Sequence, residues 1–292
     1  MKEYFETLTD SRQQAKVLHN FTEIVMMVIC AVIAGCDVWE DIADYCRVKE
    51  QWLRERIGLK LENGVPSHDT LSRVFGMLDP TEFQGKFIEW AQAACGKHSR
   101  EILSFDGKTM RGSRNGEEKP VHMVSAWASK AKAVFGQLAV DEKSNEITAL
   151  LELLDIKGCI ITADAMSCQK EIVRKIVDRE ADYTIGLKEN QATLCHAAQE
   201  HFDAVFKEPT LFDSLATVVT TEKGHGRIET RTYYLCTDPD FLKIYQPAWK
   251  NLNGIGMMIS KIEKNGQITE ERHYHITSLT KVEEYAESAR SH

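Results

Sequence analysis

The hydrophobic period of this chain changes once, at Gly96, and that change limits the fold more than any other feature. Before it, apolar residues recur at three- and four-residue steps. Val17, Leu18, Phe21, Ile24, Val25, Val28 and Ile29 mark a helix between Lys16 and Gly35, and a second is expected from Trp39 to about Ile57. The turn Glu62-Asn-Gly-Val-Pro66 breaks the pattern, after which Ser67 can cap a helix through Leu71, Val74, Phe75 and Leu78. Asp79-Pro80-Thr81-Glu82 then offers an N-cap acid, a proline at the first helical position and a glutamate at the third, opening a helix to about Cys95. Residues 1–96 are expected to form a helical domain.

After Gly96 the segments 101–106, 121–128, 134–140 and 158–164, rich in Val, Ile and Phe, are expected to be strands, with Ser129-Lys-Ala-Lys132 turning the second into the third. Helices are expected from Asn145 to Leu154, from about Gln169 to Arg179 and from about Gln191 to Phe206, with a strand at Asp182–Lys188. This order suits a mixed α/β sheet covered by helices. A strand-rich stretch follows at about 213–278, with a hairpin signal at Lys264-Asn265-Gly266, and Lys281 to Arg290 has the pattern of a helix.

With 292 residues, 43% of them hydrophobic and 27% charged, the chain can build one large or two modest cores. Its eight cysteines include no Cys-x-x-Cys pair, which excludes a zinc ribbon or a dithiol redox motif and suits reduced, buried thiols. The apolar run Ile24–Gly35 is shorter than the roughly 20 residues a bilayer needs, and no secretory leader pattern precedes it. A soluble, cytoplasmic protein is expected. The formal net charge of −8 counts against a protein that simply coats nucleic acid, so any such role falls to local clusters.

Two of the expected strands, Glu101-Ile-Leu-Ser-Phe-Asp106 and Cys159-Ile-Ile-Thr-Ala-Asp164, end in an aspartate. Carboxylates are the hard oxygen ligands that Mg²⁺ prefers, and two such ions about 3.5–4 Å apart activate an attacking oxygen and stabilise a leaving one. The bland reading is that each acid opens a turn or caps a helix; spacing alone leaves both readings open. Lys108, Arg111 and Arg114 follow Asp106 closely and could hold phosphates, or form a solvated turn. Two further polar segments are Leu187-Lys188-Glu189-Asn190-Gln191 and Lys223-Gly-His225-Gly-Arg227-Ile-Glu229-Thr-Arg231. In the second, Arg227, Glu229 and Arg231 alternate onto one strand face, as a phosphate-facing edge or an ordinary salt-bridged one. Ser67-His68-Asp69 is no hydrolase triad, because adjacent residues cannot reach that geometry, and no phosphate-binding glycine loop occurs. His122 and His196 read as structural or exposed rather than as metal ligands.

Four stretches in order, Phe105-Asp-Gly-Lys-Thr-Met-Arg-Gly-Ser113, Ile161-Thr-Ala-Asp-Ala-Met-Ser-Cys-Gln-Lys170, Leu187–Gln191 and Gly224–Arg231, resemble the successive motifs of H-repeat-associated insertion-sequence transposases. Ala31–Gly35, Trp39–Ile42 and Gly64–Thr70 resemble that family's associated helical domain. Glu189 departs from the pattern, where the family more often has glycine.

The resemblance implies an RNase H-like DDE catalytic domain at 97–292 with a strand-rich insertion at about 213–278, preceded by the associated domain at 1–96. It implies metal-dependent cleavage and transfer of DNA strands at element ends, with Asp106 and Asp164 as catalytic, metal-binding residues for two Mg²⁺ or Mn²⁺ ions. Lys108, Arg111, Lys188, Arg227 and Arg231 are the candidates for phosphate contacts. The expected partner is double-stranded DNA, at element ends and target, with a homo-oligomer left open and no membrane. The third acid, a glutamate that follows a His-Trp pair in the family, is expected beyond Ser288–His292. The chain is therefore expected to be a truncated, catalytically impaired copy, the alternative being a non-catalytic DNA-binding or oligomerising remnant that regulates a full-length transposase.

Overall fold

The computed structural model describes residues 1–96, 99–110, 121–140, 146–208, 215–224 and 226–291. The chain divides into two compact units, Met1–Ala94 and Cys95–His292.

The first unit is helical: α1 Lys2–Phe5, α2 Phe21–Ile33, α3 Trp39–Val48, α4 Glu50–Trp52, α5 His68–Phe75 and α6 Pro80–Cys95. Helix α2 starts five residues later than its apolar period suggests. The cause is Asn20, whose side chain accepts from Glu23 N at 3.0 Å and fixes the N-terminus there. Leu18 is consequently left 64% exposed. The rest of the apolar run is core, with Ile24 to Ala31 all buried.

Ser67 caps α5 through Thr70 N, and Asp79 Oδ1 caps α6 by accepting from Thr81 N and Glu82 N at 2.9 Å each. Glu82 does not close the reciprocal capping box; its carboxylate instead accepts from Thr9 N at 3.1 Å and so ties down the N-terminal segment. No helix among the described residues is long and apolar enough to cross a membrane.

The second unit is mixed α/β. Its strands are β1 Ile102–Thr109, β2 His122–Ala128, β3 Ala133–Val140, β4 Ile160–Ala163, β5 Asp182–Leu187, β6 Leu215–Gly224, β7 Arg227–Cys236, β8 Gly254–Lys264 and β9 Gln267–Thr277. Its helices are α7 Glu146–Leu153, α8 Lys170–Asp178, α9 Ala192–Lys207, α10 Pro239–Tyr245 and α11 Val282–Ser291. They build one nine-stranded sheet in the order β3-β2-β1-β4-β5-β9-β8-β7-β6. Strands β1, β4 and β5 are mutually parallel, and every other pairing is antiparallel.

The strand-rich stretch is thus no separate layer. It forms an antiparallel meander, β6 to β9, that joins the sheet by pairing β9 with β5. Asn265 and Gly266 both take left-handed backbone, φ 53° and 75°, as a two-residue hairpin turn between β8 and β9 requires. At the start of β1, buried Glu101 accepts from Lys130 N (2.7 Å) and Ala131 N (3.2 Å), fixing the β2–β3 turn.

The sheet curls round α11, which packs against β1, β4 and β5 and also against β6 and β7. Tyr285 anchors this helix. It is fully buried, its ring meets Tyr233 and His275 edge-on, and its hydroxyl bonds His275 Nδ1 at 2.9 Å. Gly256 on β8 admits the ring, because a Cβ there would stand 2.2 Å from two ring carbons.

Beneath the C-terminal half of α11 runs a row of hydroxyls. Ser104, Thr162, Thr184 and Thr277 occupy one register line across β1, β4, β5 and β9. Thr162 bonds Ser104 at 3.0 Å and Thr184 bonds Thr277 at 3.1 Å. From the helix, Ser288 Oγ donates to Thr184 Oγ1 at 2.9 Å, and Ser104 Oγ donates to the Ser291 carbonyl at 2.8 Å. Each buried hydroxyl thereby has a partner, as burial demands.

Candidate active site at the ends of β1 and β4

Asp106 lies on β1 and Asp164 follows the last residue of β4. Phe105 and Ala163 are register partners on these parallel strands, so the two aspartates come next, side by side, on strands about 4.8 Å apart. Both are exposed. Parallel pairing across a hairpin and a crossover helix is what brings these distant residues to one sheet edge.

Asp164 has a second task. Its Oδ1 accepts from Ser167 N at 3.2 Å and Ser167 Oγ at 3.0 Å, capping a short 3₁₀ turn at Ala165–Ser167. The capping reading of this acid is therefore correct as far as it goes, and it aims the carboxylate.

The turn is held from outside by the segment that follows β5. Asn190 Nδ2 donates to the Ala165 carbonyl at 2.6 Å, and Gln191 Nε2 donates to the Cys168 carbonyl at 3.0 Å. Gly186 on β5 lets this backbone approach, since a Cβ there would lie 3.0 Å from Ala165 N and 3.4 Å from Asp164 C. Beneath the turn, burial pushes the Cys168 thiol up to about 12, leaving it an inert apolar filler.

Two clefts open at Asp164. One, of about 540 Å³, is lined by Lys188, Asn190, Arg272 and His273 among others. The second, of about 330 Å³, is lined by Gly107, Thr109, His122, Ser167 and Gln169 over an apolar floor that includes Phe105 and Ile172.

The candidate cations are differently placed. Lys108 is exposed two residues beyond Asp106, and exposed Lys188 lines the larger cleft beside Asp164. Arg231 is partnered within the protein, 2.6 Å from Glu229 and 3.4 Å from Glu222, with 22% of its side chain exposed. Arg227 sits 3.4 Å from the same Glu229 and is half exposed. Glu222 also pairs with Arg290, so these charges link β6 and β7 to the end of α11. Arg111 lies outside the described residues.

The donor chemistry of Asp106 and Asp164 fits a hard divalent cation that keeps several waters. Among the described residues no cluster of three metal-ligating groups occurs. Of the carboxylates on α11, Glu284 pairs with Arg100 at 2.6 Å, while Glu283 and Glu287 are exposed.

Residues 97–242 match the transposase DDE domain family, and residues 2–91 match the DDE_Tnp_1-associated family. The chain belongs to the DDE transposases. Similar proteins include an H repeat-associated putative transposase, YhhI, of Escherichia coli (strain K12), 36% identical with 100% of this chain and 79% of that protein aligned. A putative transposase, YncI, of Escherichia coli O157:H7 is 38% identical over 99% of this chain and 75% of its own. An uncharacterized protein in the dhlA 3′ region of Xanthobacter autotrophicus is 39% identical over 96% of this chain and 94% of its own.

In this DDE transposase, reading the sequence alone missed the groups that hold Asp164. Asn190 and Gln191 stood inside a polar motif already singled out, but nothing local says that their amides bond a turn some 25 residues earlier. Ser167 carried a visible signal, a hydroxyl three residues after an acid at a strand end.

Proposed function

We propose that the chain acts on double-stranded DNA at insertion-sequence ends, cutting a strand by metal-assisted hydrolysis and joining the freed 3′ hydroxyl to a target strand. The observation that carries this reading is the β1–β4 register, with two exposed aspartates adjacent on parallel strands. Asp106 and Asp164 hold the cations, Ser167 aims Asp164, and Asn190 and Gln191 keep its turn in place. When bound, two Mg²⁺ or Mn²⁺ ions supply activation of the attacking oxygen and stabilisation of the leaving one. Exposed Lys108 and Lys188 meet phosphates on either side, and Arg227 does so at the β6–β7 edge, with Arg231 holding Glu229 beside it. Arg111 is assigned to the same role by its motif.

The third carboxylate of such a site falls to a helix continuing α11. Ala286 and Ala289 share a buried cluster with Ile102, whereas Ser291 reaches Ser104, so the helix advances along β1 toward Asp106. Ser104 and Asp106 are about 7 Å apart along the strand, which a helix rising 1.5 Å per residue covers in under two turns. The described residues bring two exposed acids, Asp106 and Asp164, to this site. Their exposed lysines still suit a second role, occupying DNA ends without cutting them.

The test incubates the 292-residue protein with end-sequence duplex and Mg²⁺ or Mn²⁺, beside a version whose α11 is extended with the corresponding residues of YhhI. Cleavage by the extended protein, lost in D106N and D164N, with little by the shorter one, is expected. Equal cleavage by both refutes the two-acid account; absence of both cleavage and DNA binding refutes the transposase reading.

A further inference from the structure

The smaller cleft has a polar group that the aspartate chemistry does not use. His122 opens β2 directly opposite Thr109 on β1, and its Nδ1 lies 2.8 Å from Thr109 Oγ1. That bond pins the ring, and leaves Nε2 as its second polar atom. The imidazole is half buried and lines the cleft with Thr109, Gln169, Ser167 and Asp164. Strands β1 and β2 pair beyond the point where β4 ends, and Asp164, standing at that end, borders the clefts on both sides.

Two alternatives for His122, both as a metal ligand, fail on geometry. Thr109 is three residues beyond Asp106, about 10 Å along the strand, too far for His122 to share ions spaced about 3.5–4 Å. No third metal-ligating group joins it among the described residues.

We propose that His122 Nε2 donates a hydrogen bond to a DNA phosphate next to the scissile one, with Thr109 fixing the ring for that contact. The proposal rests on Asp106 and Asp164 being where the strand is cut. This contact needs the tautomer in which the Thr109 hydroxyl donates to Nδ1 and the ring carries its proton on Nε2. Gly107 adds no side chain to obstruct the strand, and Gln169 supplies a further amide to the lining.

The test measures binding of the full chain to duplex DNA in which single phosphates are replaced, one position at a time, by neutral methylphosphonates. The proteins compared are the parent, H122A, H122Q and T109V. The amide nitrogen of glutamine overlays imidazole Nε2, so H122Q retains affinity whereas H122A loses about ten- to a hundredfold, in the range of one hydrogen bond to a charged group. At one phosphate position neutralisation weakens the parent and leaves H122A unchanged. T109V lies between, because the ring is present but no longer held. If H122A does not fold, H122Q and T109V carry the comparison. An identical phosphate scan in parent and variants, or H122A binding as tightly as the parent, overturns the proposal. Failure of the parent to bind DNA at all overturns the transposase reading instead.

Discussion

Replacing Gly256 by alanine tests whether the curled sheet locks α11. The new methyl would lie 2.2 Å from two Tyr285 ring carbons and 2.5 Å from the hydroxyl oxygen. Gly256 has no left-handed backbone, so the cost is steric rather than conformational. The ring cannot give way within its pocket, being fully buried between Tyr233 and His275. Either β8 shifts, at the roughly 1–3 kcal/mol typical of overpacking, or the ring leaves, at the roughly 3–5 kcal/mol of losing a large aromatic. The expected loss is about 3 kcal/mol, where the ranges meet. With an m-value of about 2–3 kcal/mol/M, the urea midpoint of this unit falls by about 1–1.5 M. A double-mutant cycle isolates the contact: in a Y285A background, G256A costs less than about 1 kcal/mol, giving a coupling of about 2 kcal/mol. An equal cost in both backgrounds would refute the lock.

Three further outcomes are expected. N190A removes the 2.6 Å bond to Ala165 and should lower Mn²⁺ affinity by about 10–100-fold, as loss of an outer-shell partner does, while shifting the melting temperature little; unchanged affinity in a Mn²⁺ titration counts against the positioning role. K188A should reduce the slope of log K against log salt for duplex binding by about 0.9, one phosphate contact, measured by fluorescence anisotropy. Burial lowers the pKa of His201, so the unfolded state binds more protons and stability falls as pH drops below about 6.5 toward the depressed value; H201Q should flatten that part of a melting profile taken from pH 7 to 5.

The legible parts of the fold were those written locally. Ser67, Asp79 and Asn265-Gly266 announced caps and a turn, and the switch of period at Gly96 separated helical from strand-rich sequence. Val17 and Leu18 continue the apolar rhythm past Asn20, yet the cap bond at Asn20 outweighs leaving Val17 half-buried and Leu18 exposed. Asp164 directly follows β4 as expected, whereas β1 runs three residues past Asp106 to Thr109 because its pairing with β2 continues to His122; the adjacency of the two acids depends on a parallel register that no local pattern encodes. The same holds for Asn190 on Ala165, Thr109 on His122 and Ser104 on Ser291. Arg231 shows the converse: alternation put it on one face with Glu229, and only the neighbouring strand revealed Glu222 as a second partner.

The hydroxyl row under α11 bears on how the molecule assembles. Ser104 and Ser291 are separated by 187 positions, and Thr184 and Ser288 by 104, so these contacts are among the least local in the chain and are expected to form late. Strands β1, β4 and β5 all emerge before α11 during synthesis. Until α11 docks, an apolar trough would invite association with other chains, whereas Ser104, Thr162, Thr184 and Thr277 can be satisfied by water. Arrival of the helix exchanges that water for Ser288 and Ser291, which makes closure of the sheet over α11 one of the last steps of folding.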